Sequence, residues 1–140
     1  ANCAACHKLA GKGGDVGPEL SNIGKQLSPE QIVESVLWPS RVVKEGFMAV
    51  RVVTDDGLQF TGYKLKETPT DFHLRDASTG KIHRFARSSI EDIANAGSVM
   101  PTGLAASMTR QELHDLVRYL SDLGKGVPQN SLPDSPSNQQ

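Results

Sequence analysis

The chain has 140 residues, a formal net charge of −1 from 15 lysines and arginines against 16 aspartates and glutamates, and only 5% aromatic residues. Charges of both signs are interleaved, which excludes a nucleic-acid footprint and strong electrostatic steering, and no apolar run is long enough to span a membrane. The size allows one ordinary domain, or a small domain with an insertion, and so few aromatics call for some other large apolar group to complete a core.

The first informative stretch is Cys3-Ala4-Ala5-Cys6-His7. Two thiols separated by two residues, with an imidazole directly after, form the attachment signature of a c-type haem. Residues 1–10 read as a short helix. The thiols then lie about one helical turn apart, placed to add to the two vinyl groups of one porphyrin edge, and His7 reaches the iron from the same turn. A redox dithiol would want a strand before the motif and a helix after it. A zinc site would want a second pair of ligands, and the chain has no other cysteine. One covalent haem c per chain is therefore expected, with Cys3 and Cys6 as thioether positions and His7 as an iron ligand. Haem c is attached outside the cytoplasm, so a periplasmic or otherwise exported location is expected. The abrupt start before Cys3 is read as a trimmed segment whose export signal lay upstream.

Gly11 to Gly17 reads as loop, Gly17-Pro18 as a turn, and Ser21-Asn22-Ile23-Gly24 as another. Ser28 is an N-cap with Pro29 at the first helical position and Gln31 three residues on. Ile32, Val33, Val36 and Leu37 follow at helical spacing, and the helix ends before Pro39. Trp38 is the only tryptophan, and Arg41 lies three residues after it.

At Gly46 the period changes from helical to alternating. Met48, Val50 and Val52 alternate with their neighbours as in a strand, so Met48 reads as packing. Asp55-Asp56-Gly57 is a hairpin turn. Strands are expected over 58–66, 71–76 and 81–86, and a short strand or a turn over 87–93. Five short strands joined by tight turns suggest a small, strongly bent antiparallel sheet, an SH3-like or Sm-like barrel. Because its strands satisfy one another, this segment is expected to stand apart from the haem ligands. Lys81, His83, Arg84 and Arg87 make a modest basic patch, read as a solvated strand face.

The segment 94–104 is irregular and contains Met100-Pro101. Thr109 caps a last helix, with Glu112 completing a capping box and Leu113, Leu116, Val117, Leu120 and Leu123 as its apolar stripe. Gly124 and Gly126 end it. Residues 127–140, rich in Pro, Ser, Asn and Gln, read as a disordered tail or linker. The division expected is thus a discontinuous haem-binding domain (1–45 and 94–126), a β-rich insertion (46–93) and the tail. For a second iron ligand, Met100 leads and Met108 competes. His73, His83 and His114 read as surface residues.

With Gly17-Pro18-Glu19-Leu20 after the haem motif and Met100-Pro101 near the end, the chain resembles class I c-type cytochromes. That resemblance implies a mainly α, cytochrome c-like fold carrying the inserted β domain. It also implies that the Pro18 carbonyl accepts a hydrogen bond from His7, that Met100 caps the distal face of the haem, and that Trp38 and Arg41 approach a propionate. The order Cys3 to His7, Gly11 to Leu20, Pro39-Ser40, Ser98 to Leu104 and Asp115 to Leu120 resembles in particular the haem-binding domain family first described from planctomycete- and verrucomicrobium-type bacteria. In that family the domain often closes a large exported protein. The resemblance therefore implies an electron-accepting domain, not itself an enzyme, whose partner is a separate redox protein or a fused dehydrogenase domain. A haem-based sensor or docking module, and a peroxidase-like enzyme with a labile sixth ligand, are the alternatives. The class I pattern also has a helix before the haem motif, for which this sequence shows no counterpart.

Overall fold

The structure, a computed structural model, describes residues 2–126; the tail expected at 127–140 lies outside them. The helix expected over residues 1–10 is replaced by a 3₁₀ turn, Cys3–Ala5, and a small hairpin of β1 (Lys8–Leu9) and β2 (Lys12–Gly13). The two-residue connection Ala10-Gly11 has positive φ at both positions, 49° and 76°. That is the backbone a tight hairpin needs, and it cannot continue a helix.

Three helices follow: α1 (Ile23–Gln26), α2 (Pro29–Leu37) and α3 (Arg110–Asp122). The capping boxes are formed as the residues dictate. Ser28 Oγ accepts from the Gln31 N–H at 3.3 Å while Gln31 Oε1 accepts from the Ser28 N–H at 2.9 Å. Thr109 and Glu112 repeat the exchange at 3.2 and 2.6 Å. Together they satisfy N-terminal amides that the helix itself leaves unpaired. Pro39 stops α2, leaving Trp38 as its last, non-helical cap. Ile32 of α2 packs with Val117 and Leu120 of α3, ringed by Leu20, Ile23, Leu27, Val33, Leu113, Leu116 and Leu123. The segment read as a turn at Ser21 to Gly24 instead opens into α1. This helix lies so close to α3 that any side chain on Gly24 would overlap the Ser121 carbonyl.

The largest element is a five-stranded antiparallel sheet of β3 (Ala49–Thr54), β4 (Gln59–Glu67), β5 (Asp71–Asp76), β6 (Ile82–Ala86) and β7 (Ile90–Gly97), in the order β6-β5-β4-β3-β7. This overturns the mainly α expectation: the described residues are 29% helical and 30% strand. The helices are few and short, whereas alternating sequence fills the middle of the chain. The last strand also runs on to Gly97, past the expected end at residue 93.

Val52, Phe72 and Leu74 are fully buried and pack with Ile90, Val50, Phe60, Phe85 and Ile93. Phe60 on β4 and Phe85 on β6 are two strands apart, yet their ring centroids are 5.1 Å apart. A flat sheet would hold those strands about 10 Å apart, so the sheet bends strongly around its core. It does so without pairing its outer strands: β6 and β7 are the edges. A register shift between Ala49 and Val50 breaks the simple alternation. It buries Ala49 and leaves Met48, expected to pack, 42% exposed. His83, expected at the surface, is partly buried: its ring lies tilted against Phe60 at 4.7 Å. Arg87 of the basic patch lies 4.0 Å from the Glu67 carboxylate.

The turn before β6 is organised by Asp76. Its carboxylate accepts from the Ser78 hydroxyl at 2.6 Å and from the amides of Ser78 and Thr79 at 2.8 and 3.0 Å. The Ser78 hydroxyl is the main cause that holds its pKa below the usual carboxylate value. A carboxyl depressed in the folded state adds stability above its unfolded pKa, about 3.9, and loses it as pH falls through the lower folded value. Asp76→Asn should therefore reduce stability at neutral pH. The gap from wild type should narrow as urea titrations move from about pH 5 to about pH 2.

Candidate functional site

The turn carrying Cys3, Cys6 and His7 is closed by its own backbone. The amides of Cys6 and His7 both donate to the Cys3 carbonyl, at 3.1 and 3.0 Å. A single turn is enough to gather the three side chains, and each is partly buried. Cys3 and Cys6 are both free thiols. Among the described residues, no group of three or more His, Cys, Asp or Glu side chains gathers as a metal site.

The loop after β2 folds back under the imidazole. The Gly17 amide donates to the Cys6 carbonyl at 2.8 Å, and the Leu20 amide to the Lys8 carbonyl at 2.9 Å. These bonds bring the Pro18 carbonyl to 2.6 Å from His7 Nδ1. With the carbonyl accepting, Nδ1 carries the proton and Nε2 keeps its lone pair. Position 17 admits only glycine. A Cβ there would sit 2.6 Å from Cε1, 2.9 Å from Nδ1 and 3.1 Å from Nε2 of His7. Backbone is thus laid flat against the ring and fixes its plane.

These features fit haem c. The thiols are unpaired and adjacent, the tautomer leaves the metal-binding nitrogen available, and the ring is held by Pro18 and Gly17.

The sheet does not stand apart from this turn. Tyr63 of β4, 4% exposed, donates its hydroxyl to the Val16 carbonyl at 2.8 Å, across 47 positions of sequence. Its ring meets the edge of Phe47 at 5.8 Å, and the Arg75 guanidinium lies 5.3 Å from its centroid. Burial pushes the Tyr63 phenol up in pKa, with Arg75 opposing and Cys6 adding to the rise. The sequence reading missed these residues. Its only available signal was a tyrosine in a strand of otherwise ordinary pattern, since a buried phenol needs some hydrogen-bond partner.

The remaining candidates form a second group. Ser40 Oγ accepts from the Ser98 amide at 3.1 Å, and Ser98 Oγ accepts from the Met100 amide at 3.1 Å. The Met100 segment is thereby tied to the end of α2, and Met100 is partly buried. Met108, the competing ligand, is also partly buried and caps a 3₁₀ turn, Leu104–Ser107. Trp38 is 50% exposed, so its indole N–H does not need a buried acceptor. Arg41 stacks over that indole at 4.4 Å and pairs with Glu34 at 3.2 Å. Among the described residues, no hydrogen bond joins Trp38, Arg41 or Met100 to the Cys3–His7 turn. Cys3, Cys6, His7 and Pro18 are brought together; the other three candidates are held elsewhere in the bonding network.

Residues 1–48 match the family model described as Cytochrome c. This match spans the thiol pair, His7, Pro18, α1 and α2, and supports a c-type cytochrome domain that binds haem c for electron transfer. No curated protein matches the chain. No helix among the described residues is long and apolar enough to cross a membrane.

The contact at position 17 gives a direct expectation. Gly17→Ala should cost about 1–3 kcal/mol, the usual penalty for forcing an extra methyl into a packed site. Urea denaturation measures the loss. The His7 ring resonances should shift in the same variant, because the added methyl displaces the imidazole.

Proposed function

We propose that this chain is an electron-carrying c-type cytochrome domain with one covalent haem c, held by Cys3 and Cys6 and ligated by His7 and Met100. The observation that carries the reading is the hydrogen bond between His7 Nδ1 and the Pro18 carbonyl, made from the same turn that presents both thiols. It gives the imidazole the tautomer and orientation a metal-bound histidine needs.

Haem c, when bound, supplies a one-electron iron(III)/iron(II) couple. The chain's own residues do the rest. Cys3 and Cys6 fix the group to one turn of backbone. Pro18 and Gly17 hold the imidazole so that little rearrangement accompanies electron transfer. Met100 offers a neutral thioether as the second ligand, tethered through Ser98 and Ser40 rather than left on a free loop. Trp38 and Arg41 form a stacked, exposed pair, and an approach of this pair to a propionate is part of the same proposal. The three helices and the hairpin form the haem-binding part, with the strands as an insertion between its halves.

The finer resemblance, to the haem-binding domain family of planctomycete- and verrucomicrobium-type bacteria, supports an exported location. It also supports a larger protein in which this domain accepts electrons from a fused dehydrogenase domain or a separate redox partner.

Two measurements test the reading. The protein expressed with a haem c attachment system should keep its haem through denaturing electrophoresis, and Cys3→Ala combined with Cys6→Ala should abolish that staining. Persistent staining in the double variant would show that the thiols are not the attachment points. The oxidised protein should also show a low-spin spectrum with the weak long-wavelength band of thioether ligation. Met100→Ala should convert it to a high-spin form and lower the potential, while Met108→Ala should leave both unchanged. High-spin iron in the wild type would instead favour the peroxidase-like alternative.

A further inference from the structure

The tripeptide Val16-Gly17-Pro18 is held from three directions. The Gly17 amide is bound to Cys6 O at 2.8 Å, Pro18 O receives His7 Nδ1 at 2.6 Å, and Val16 O receives the Tyr63 hydroxyl at 2.8 Å. The first two contacts belong to the turn itself. The third comes from the five-stranded sheet, and it is the only hydrogen bond among the described residues that joins the sheet to this loop.

The loop has little freedom to absorb a change at Val16. Gly17 is pressed against the imidazole, so rotation toward the ring is blocked. The Pro18 ring locks its own φ. Moving the Val16 carbonyl therefore moves the Pro18 carbonyl with it. Tyr63 is itself firmly placed: it is buried, meets Phe47 edge-on, and pairs across strands with Arg75. Its phenol is protonated at neutral pH, as any tyrosine's is, and is therefore a donor.

We infer that Tyr63 is a positioning residue that sets the His7–Pro18 hydrogen bond and thereby couples the five-stranded sheet to the donor strength of the imidazole. This rests on His7 being the axial ligand, as proposed above. A close Nδ1–H···O=C bond makes Nε2 more basic. A more basic ligand stabilises iron(III) over iron(II) and lowers the potential. The sheet thus acts on the redox centre through one phenol and three successive peptide units. Any partner that shifts β4 or the Phe47 ring would be felt at the iron.

The test compares two variants of the haem-loaded protein. Tyr63→Phe keeps the aromatic ring between Phe47 and Arg75 and removes only the hydroxyl. Phe60→Leu loosens the sheet core, where Phe60 packs on His83 and Phe85, without touching the loop. Two readouts are used: the midpoint potential, and the rate at which the His7 Nδ1 proton exchanges with deuterium, followed by its hyperfine-shifted resonance. Tyr63→Phe should raise the potential and speed exchange several-fold. Phe60→Leu should lower the melting temperature and leave both readouts at wild-type values. Wild-type potential and exchange in Tyr63→Phe overturn the inference, as does an equal shift in Phe60→Leu, which would mark a general loss of rigidity. If Tyr63→Phe fails to fold, 3-fluorotyrosine in place of tyrosine preserves the fold and strengthens donation. The second tyrosine, Tyr119, is exposed. The fluorinated protein should exchange more slowly and have a lower potential, and no change in either overturns the inference. Absence of covalent haem from the wild-type protein overturns the functional reading itself, whereas haem present with an unmoved potential in Tyr63→Phe overturns this inference alone.

Discussion

A hydrogen bond of 2.6 Å between the imidazole of His7 and the carbonyl of Pro18 is the constraint around which this molecule is arranged. It assigns the proton to one ring nitrogen and the lone pair to the other. It also requires the chain to turn back within eleven residues. The Ala10-Gly11 connection, the short β1–β2 ladder and the glycine at position 17 all serve that return. Each has a conformational cost that a regular helix would avoid: a non-glycine residue at positive φ, a two-residue strand pair, and backbone placed against an aromatic ring. Such local irregularity is found where a functional group must be held in one orientation.

The rest of the described structure is built on two small cores. The helical core joins the N- and C-terminal parts of the chain through α2 and α3. The sheet core is built from the middle. Neither is large, and ten hydrophobic residues are buried among the described residues, so the apolar plate of a haem would add substantially to what either core can supply. The sheet reaches the Val16–Pro18 loop through Tyr63, and the end of α2 reaches the Met100 segment through Ser40 and Ser98. These contacts fall on the segments that carry the proposed ligands.

Charge plays a minor part. The Arg41–Glu34 and Lys64–Glu67 pairs lie on exposed side chains and contribute little on their own. The Arg41 contact with Trp38 matters more for shape: it places a cation and an indole together, with the indole half exposed.

The site's chemistry and its local punctuation were legible in the sequence because they depend on neighbours in the chain. Cys3, Cys6 and His7 fall within one turn, Pro18 lies eleven residues on, and the capping boxes at Ser28 and Thr109 need only residues three apart. The alternation that became the sheet was visible too, with β5 at its observed bounds, because period-two patterning follows directly from which face is buried. What could not be read was anything decided by distant packing. The helix expected at the start gave way to a turn and hairpin because the chain must fold back under His7. The mainly α expectation failed because resemblance in the first third of the chain says nothing of how much sheet the middle contains. Met48 came out exposed because a register shift opposite β7 reversed its face, and His83 came out partly covered because the bend of the sheet brought its ring against Phe60. Tyr63 reached the Val16 carbonyl across 47 positions. That pairing exists only once a buried phenol and an unpaired carbonyl are brought together in three dimensions, and no local pattern records it.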